Sequence, residues 1–193
     1  MDAAWELAVA PRPHRVLKLR LLPMTLGHAF LLEQIDAAYL EGGIPAWNDL
    51  LASVLICSQD HSKARRSIGK WSTRQFAKIW KLFNLRIDPV AEVLAFLKYL
   101  EESFASPETE PPPNGKSRDL KAPLLWRLLV MLIVDFHMSK EAALNMTVVE
   151  AQCLWATEGD RKGTLDLVAG RLDGLREFAA AADARKADEK AKQ

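Results

Sequence analysis

The side chains best suited to chemistry are four histidines, two cysteines and one basic run. Metal sites on helices or loops place their ligands a few residues apart, and none of His14, His28, His61 and His137 has another histidine or a cysteine at such spacing. Asp60-His61 and Asp135-Phe136-His137 set acid before imidazole, the reverse of the His-then-Asp order that metal-dependent phosphohydrolases use. Without a metal, His28 and His137 read as helix residues making a local hydrogen bond. Nucleophilic catalysis has no better footing. There is no Gly-x-Ser-x-Gly elbow, no histidine identifiable as a partner for Cys57 or Cys153, and no glycine-rich phosphate loop. Catalytic residues, metal and cofactor are therefore all expected to be none.

The basic run is the strongest electrostatic feature. Lys63, Arg65, Arg66, Lys70, Arg74, Lys78 and Lys81 follow one another with no acidic residue between them, and Trp71 and Trp80 are interleaved. Such a segment could contact phosphates, each contact adding a salt-dependent increment of affinity. It equally fits a solvated helix face or a patch for an acidic protein, and these two readings together take precedence over nucleic acid. A tandem of short helices, Ser139 to Asn145 and Thr147 to Trp155, imitates a helix-turn-helix. A reading helix offers basic or amide groups to base edges. Here Gln152 is the single candidate and Glu150 repels phosphate, so the tandem reads as packing.

These groups must be held by helices. With 49% apolar and 26% charged residues the chain has the composition of a globular domain, and a net charge of +1 exerts no global pull on nucleic acid or anionic membrane. The organising stretch is Ala122 to Met138, apolar without a break from Leu128 to Val134. A helix apolar nearly all round is one its neighbours bury. Arg127 and Asp135 leave it too short to cross a bilayer, which needs roughly 20 apolar residues. Before it, Pro11 and Pro13 break any helix, the segment preceding them reads as a short turn or loose arm, and His14 to Leu22 as a short strand or extended lead-in. Helices are expected from Thr25 to Glu41 behind the cap Thr25, and from Ala46 to Cys57 behind Pro45. Another follows a basic connector from Asp60 to Trp71, behind a Ser72–Gln75 capping box. A fourth runs from Asp88-Pro89 to about Phe104.

The proline-rich stretch 105–118 is either an extended spacer or a long surface loop. After Met138, Ser139 caps one short helix and Thr147 with Glu150 boxes the next. Gly159 and Gly163 bracket a turn, and a last helix runs from Thr164 through Phe178 before a charged tail. No strand is expected after residue 22. The class is all-α, a bundle of about seven or eight helices. The divisions are 1–104, an N-terminal helical half; 105–118, the linker or loop; 119–180, a C-terminal helical half; and 181–193, the tail. Cys57 and Cys153, each inside an apolar helical pattern, read as buried free thiols of a reducing cytoplasm. The first fifteen residues lack the basic start and apolar core of a signal peptide, so an intracellular location is expected.

Six tryptophans are many for this length, and such an apolar surplus either fills the core or marks a surface for a partner helix or self-association. Leu21 to Ile35, LLPMTLGHAFLLEQI, resembles the N-terminal signature of small helical proteins encoded in phage tail gene clusters. Ser139 to Val168, SKEAALNMTVVEAQCLWATEGDRKGTLDLV, resembles the phage tail assembly chaperones, in which a short helix, an apolar turn and an alanine- and tryptophan-rich helix follow one another. The resemblance covers under a third of the chain and contains no catalytic or metal-binding residue. It implies a non-enzymatic helical protein of the host cytoplasm. Its partner would be the long helical tape measure protein, kept soluble until tail-tube protein displaces it. A chaperone of that kind needs apolar anchors between helices. Candidates are Trp47, Trp71, Trp80, Phe83, Trp126 and Trp155, with the basic run steering acidic clients.

Overall fold

The computed structural model describes residues 3–35, 37, 47–68, 87–110 and 122–167. Eight helices and four short strands lie among them. The molecule is thus mostly helical without being purely all-α. Among the described residues no helix is long and apolar enough to cross a membrane.

The N-terminal residues are more ordered than the prolines suggest. Residues Ala3–Val9 form helix α1, which turns Ala4 and Leu7 onto Val149 and Cys153 in a small satellite of the core. A β-hairpin follows, His14–Val16 (β1) against Leu19–Leu21 (β2), with His14 opposite Leu21. The short-strand reading holds and the extended lead-in does not. Its two turn residues, Leu17 and Lys18, both have positive φ, 51° and 63°. That is the requirement of the type I′ turn whose twist suits a hairpin, which Asn and Gly meet at least cost. Leu17 is held there by burial and by donating its N–H to Glu92 Oε2 at 2.6 Å. Lys18 is exposed and has no such compensation. Lys18→Asn should therefore raise stability by about 0.5 kcal/mol, roughly 1–2 °C in Tm, measurable by thermal denaturation.

Helix α2 spans Leu26–Gln34 and stops at Ile35, short of the expected Glu41; the rest of that expectation, apart from residue 37, lies outside the described residues. Helix α3 is Trp47–Cys57. The basic connector is itself partly helical. Residues His61–Ile68 form α4, because His61, Ala64 and Ile68 recur on one inward face while Ser62, Lys63, Arg65 and Arg66 stay exposed. The helix expected after Ser72 lies outside the described residues. Helix α5, Pro89–Ser103, begins as expected, with Asp88 accepting from the N–H of Val90 and proline in the first turn.

Helix α6 is Leu124–Val134, the middle of the organising stretch. It is shorter than expected because the chain folds back on itself after Asp135. The N–H of Phe136 donates to Met131 O, that of Met138 to Leu132 O, and His137 sits at φ 53°. His137 is thus a turn residue rather than a helical one. Helices α7 (Lys140–Asn145) and α8 (Val148–Arg161) carry the expected caps at Ser139 and Thr147. Gly159 lies inside α8, and the turn belongs to Gly163 alone, at φ 65°. No helix starts at Thr164. Instead Asp166–Leu167 (β4) pairs antiparallel with Thr109–Glu110 (β3), so strands do occur after residue 22, and the early part of the proline-rich stretch is fixed in an extended pairing. Residues 111–121 and those beyond 167 lie outside the described residues.

One buried cluster joins residues from both sides of that stretch, among them Leu26, Leu32, Leu51, Ile56, Phe96, Leu128 and Leu132. The helix caps weld it. Thr25 and Thr147 form an antiparallel bridge in which Leu26 N donates to Met146 O and Val148 N to Met24 O, each at 2.9 Å. The starts of α2 and α8 therefore satisfy each other's free amides as well as their own.

Candidate functional site

Burial of α6 is one-sided. Leu125, Leu128, Leu129 and Leu132 enter the core, whereas Trp126, Val130 and Val134 are 53%, 53% and 60% exposed. Their four-residue spacing makes one stripe about 12 Å long on the solvent side, where the sequence pattern leads one to expect burial all round. Trp126 is steadied by an edge-to-face contact with Phe30 of α2, ring centres 5.1 Å apart. Helix α8 supplies the facing wall with Trp155, Glu158 and Gly159, and the space between the two is an open groove of about 430 Å³. Exposed apolar side chains in one run make this face the candidate interaction surface.

Charged groups close one end of the groove. Arg161 donates to Glu158 from Nε at 2.7 Å and from Nη2 at 2.6 Å, and Lys162 bridges Glu158 at 3.1 Å and Asp135 at 3.5 Å. Hydrogen bonds from Arg161 and then Lys162 hold the Glu158 carboxyl down at about 2. The groove thus combines two tryptophans and the valines of α6 with an ionic rim at one end.

Two of the anchor candidates, Trp126 and Trp155, meet in this groove. Trp47 lies elsewhere, half-buried against the main core at the start of α3. Trp71, Trp80 and Phe83 lie outside the described residues, as do Lys70, Arg74, Lys78 and Lys81. The remaining basic residues divide by face. Arg65 and Arg66, with His61 and Ser62, line a second, shallower groove whose far side is Lys140, Glu141 and Leu144 of α7; Lys63 is on the exposed side of α4. Lys140 and the valines of α6 are members that sequence reasoning missed. Only the valines carried a signal, their spacing of four from Trp126.

Several of the groups considered for catalysis have partners within the fold. His28 is buried and completes a capping box: its N–H donates to Thr25 Oγ1, and its Nδ1 accepts from the N–H of Thr25 at 3.2 Å. Its Nε2 donates to Gln59 O at 2.7 Å, which fixes the tautomer. Burial, partly offset by the Gln59 bond, lowers its pKa. His14 and Arg12 both bind Glu102, at 3.0 and 3.3 Å, beside a cavity of about 30 Å³, room for little more than a water. Gln152, the one candidate base reader, is buried and donates to Phe104 O at 3.2 Å. Among the described residues no three His, Cys, Asp or Glu side chains gather as metal ligands.

Cys57 and Cys153 are free and buried, as expected. Burial pushes the Cys57 thiol up to about 12, far from the thiolate a nucleophile requires. Ellman's reagent should consequently label neither thiol of the native protein at pH 8, and both once denaturant is added. Rapid native labelling of Cys57 would contradict its place between Leu22 and Tyr99, where its carbonyl accepts from Leu22 N at 2.8 Å.

No family model, curated protein or solved structure matches the chain. The functional reading therefore rests on the groove.

Proposed function

We propose that this chain is a non-enzymatic protein-binding protein, a phage or prophage tail assembly chaperone that holds segments of the tape measure protein soluble in the host cytoplasm. The observation that carries the reading is the apolar stripe Trp126, Val130 and Val134 facing Trp155 across an open groove. An amphipathic client helix docks by anchors at this same spacing, so the groove is cut to the period of such a client. The ionic rim and the basic outer face of α4 would orient an acidic client without adding much affinity. Co-expression with a helical fragment of a tape measure protein encoded in the same gene cluster tests it. The fragment should stay soluble and co-purify with the chain, and a fragment that aggregates regardless of its presence refutes the role.

A second reading, nucleic-acid association, draws on the convergence of Arg65 and Arg66 with Lys140 in the shallow groove. Phosphate binding there would give duplex DNA affinity that falls steeply with salt and is lost in Arg65→Glu/Arg66→Glu. No binding of a duplex at low salt disposes of it.

A further inference from the structure

What must a client carry to lie in the α6–α8 groove? We infer that, beside its apolar anchors, it presents a carboxylate, and that Arg127 is the group that receives it. This deepens the client reading and rests on it. Arg127, Met131 and Asp135 each follow by one position a member of the stripe Trp126, Val130 and Val134, and this second row also lines the groove. The row sets a cation beside the largest apolar anchor.

The charges lining the groove do not cancel where they stand. They are Arg127 and Lys162 against Asp135 and Glu158. Lys162 takes both carboxylates, Glu158 at 3.1 Å and Asp135 at 3.5 Å, and Glu158 also accepts twice from Arg161. Asp135 stands two turns from Arg127, about 12 Å along the helix axis. Arg127 forms no ion pair among the described residues, and its Nε is buried there without a hydrogen-bond partner. The residue is only half-buried, so an occupant of the groove meets it directly.

That meeting selects among clients. A wholly apolar helix laid over Arg127 strips water from an unpaired cation and gives nothing back. A helix with a carboxylate at that point replaces the water by a charge-assisted pair, for which the guanidinium fork offers two parallel donors. A basic residue there is repelled. The stripe thus supplies affinity for any amphipathic helix, and Arg127 discriminates between them.

Fluorescence anisotropy with the full chain and three synthetic probes tests the assignment. Each probe is an amphipathic helix of about 20 residues, long enough to be helical alone, with leucines at intervals of three and four. The residue beside the central leucine is glutamate, glutamine or lysine. Wild type should bind the glutamate probe roughly 30-fold more tightly than the glutamine probe, and the lysine probe most weakly. In Arg127→Met, which keeps an apolar stem, the three affinities should converge, and in Arg127→Glu the order should invert. The wild-type ranking decides by itself if a variant fails to fold. Equal wild-type affinity for the glutamate and glutamine probes, or a glutamate preference that survives in Arg127→Met, overturns the inference and leaves the client reading standing. Binding of no probe to wild type overturns both.

Discussion

Replacing His28 by alanine should lower the unfolding free energy at pH 7.5 by about 3 kcal/mol, a fall of roughly 6–12 °C in Tm. Two losses add. Gln59 O, which accepts from Nε2 at 2.7 Å, is left without that partner in a half-buried setting, at about 1–3 kcal/mol. The N–H of Thr25 loses its acceptor Nδ1, and such cap losses cost about 0.5–2 kcal/mol. The site has little room to relax. Gly27 lies so close to His61 that an added Cβ would stand 2.4 Å from its Cγ, so the helices α2 and α4 are already at contact. His28→Gln retains a donor and an acceptor and should recover part of the loss.

The same residue carries a pH signature. Burial holds the folded-state pKa of His28 below its ordinary 6.5, with the neighbouring His61 acting in the same direction and Asp60 and the Gln59 bond opposing. As pH falls, the unfolded chain binds the proton first, so stability is full above about 6.5 and declines through the interval down to the folded-state value. Urea denaturation between pH 8 and pH 5 should therefore show wild type losing stability in this window while His28→Ala loses less, so that the two curves converge. A constant gap across the range would mean that His28 is not held neutral by burial.

This histidine also shows what is legible in a sequence and what is not. Helix caps are local, and Thr25, Asp88, Ser139 and Thr147 act as their neighbours in sequence suggest. The other half of the His28 environment, Gln59, is 31 positions away and has no local signal. Elements that depend on distant partners escape in the same way. Helix α1 is too short to stand alone and exists against Val149 and Cys153. The hairpin turn at Leu17-Lys18 lacks the Asn-Gly signal because Glu92, far along the chain, holds it. Helix α4 reads as a charged connector since its buried face is little more than Ala64. In the groove, tryptophans could be singled out as apolar surplus. That Trp126 and Trp155 line one groove while Trp47 packs against the core elsewhere depends on the packing of α6 against α8, which no periodicity encodes.

The groove yields the second large effect. Val130→Glu should weaken binding of a tape measure fragment by about 2–3 kcal/mol, roughly 30- to 150-fold in Kd, because a carboxylate in the middle of the stripe must lose water against an apolar client. Trp126→Ala should cost a similar amount by removing the largest anchor. Neither result means anything unless the fold survives, and exposure decides that. Val130 is 53% exposed, and surface changes shift stability by about 0.5 kcal/mol or less, so the Val130→Glu Tm should match wild type. Leu128→Ala, two positions away but buried, is the contrasting case, with about 2–5 kcal/mol of stability lost to a cavity. Isothermal titration beside thermal melts separates the cases. A groove that binds clients makes Val130→Glu lose affinity at unchanged Tm. If Val130→Glu and wild type bind the fragment equally, the stripe is not the client's seat and another surface must be sought, of which the Arg65–Arg66–Lys140 groove is the next to mutate.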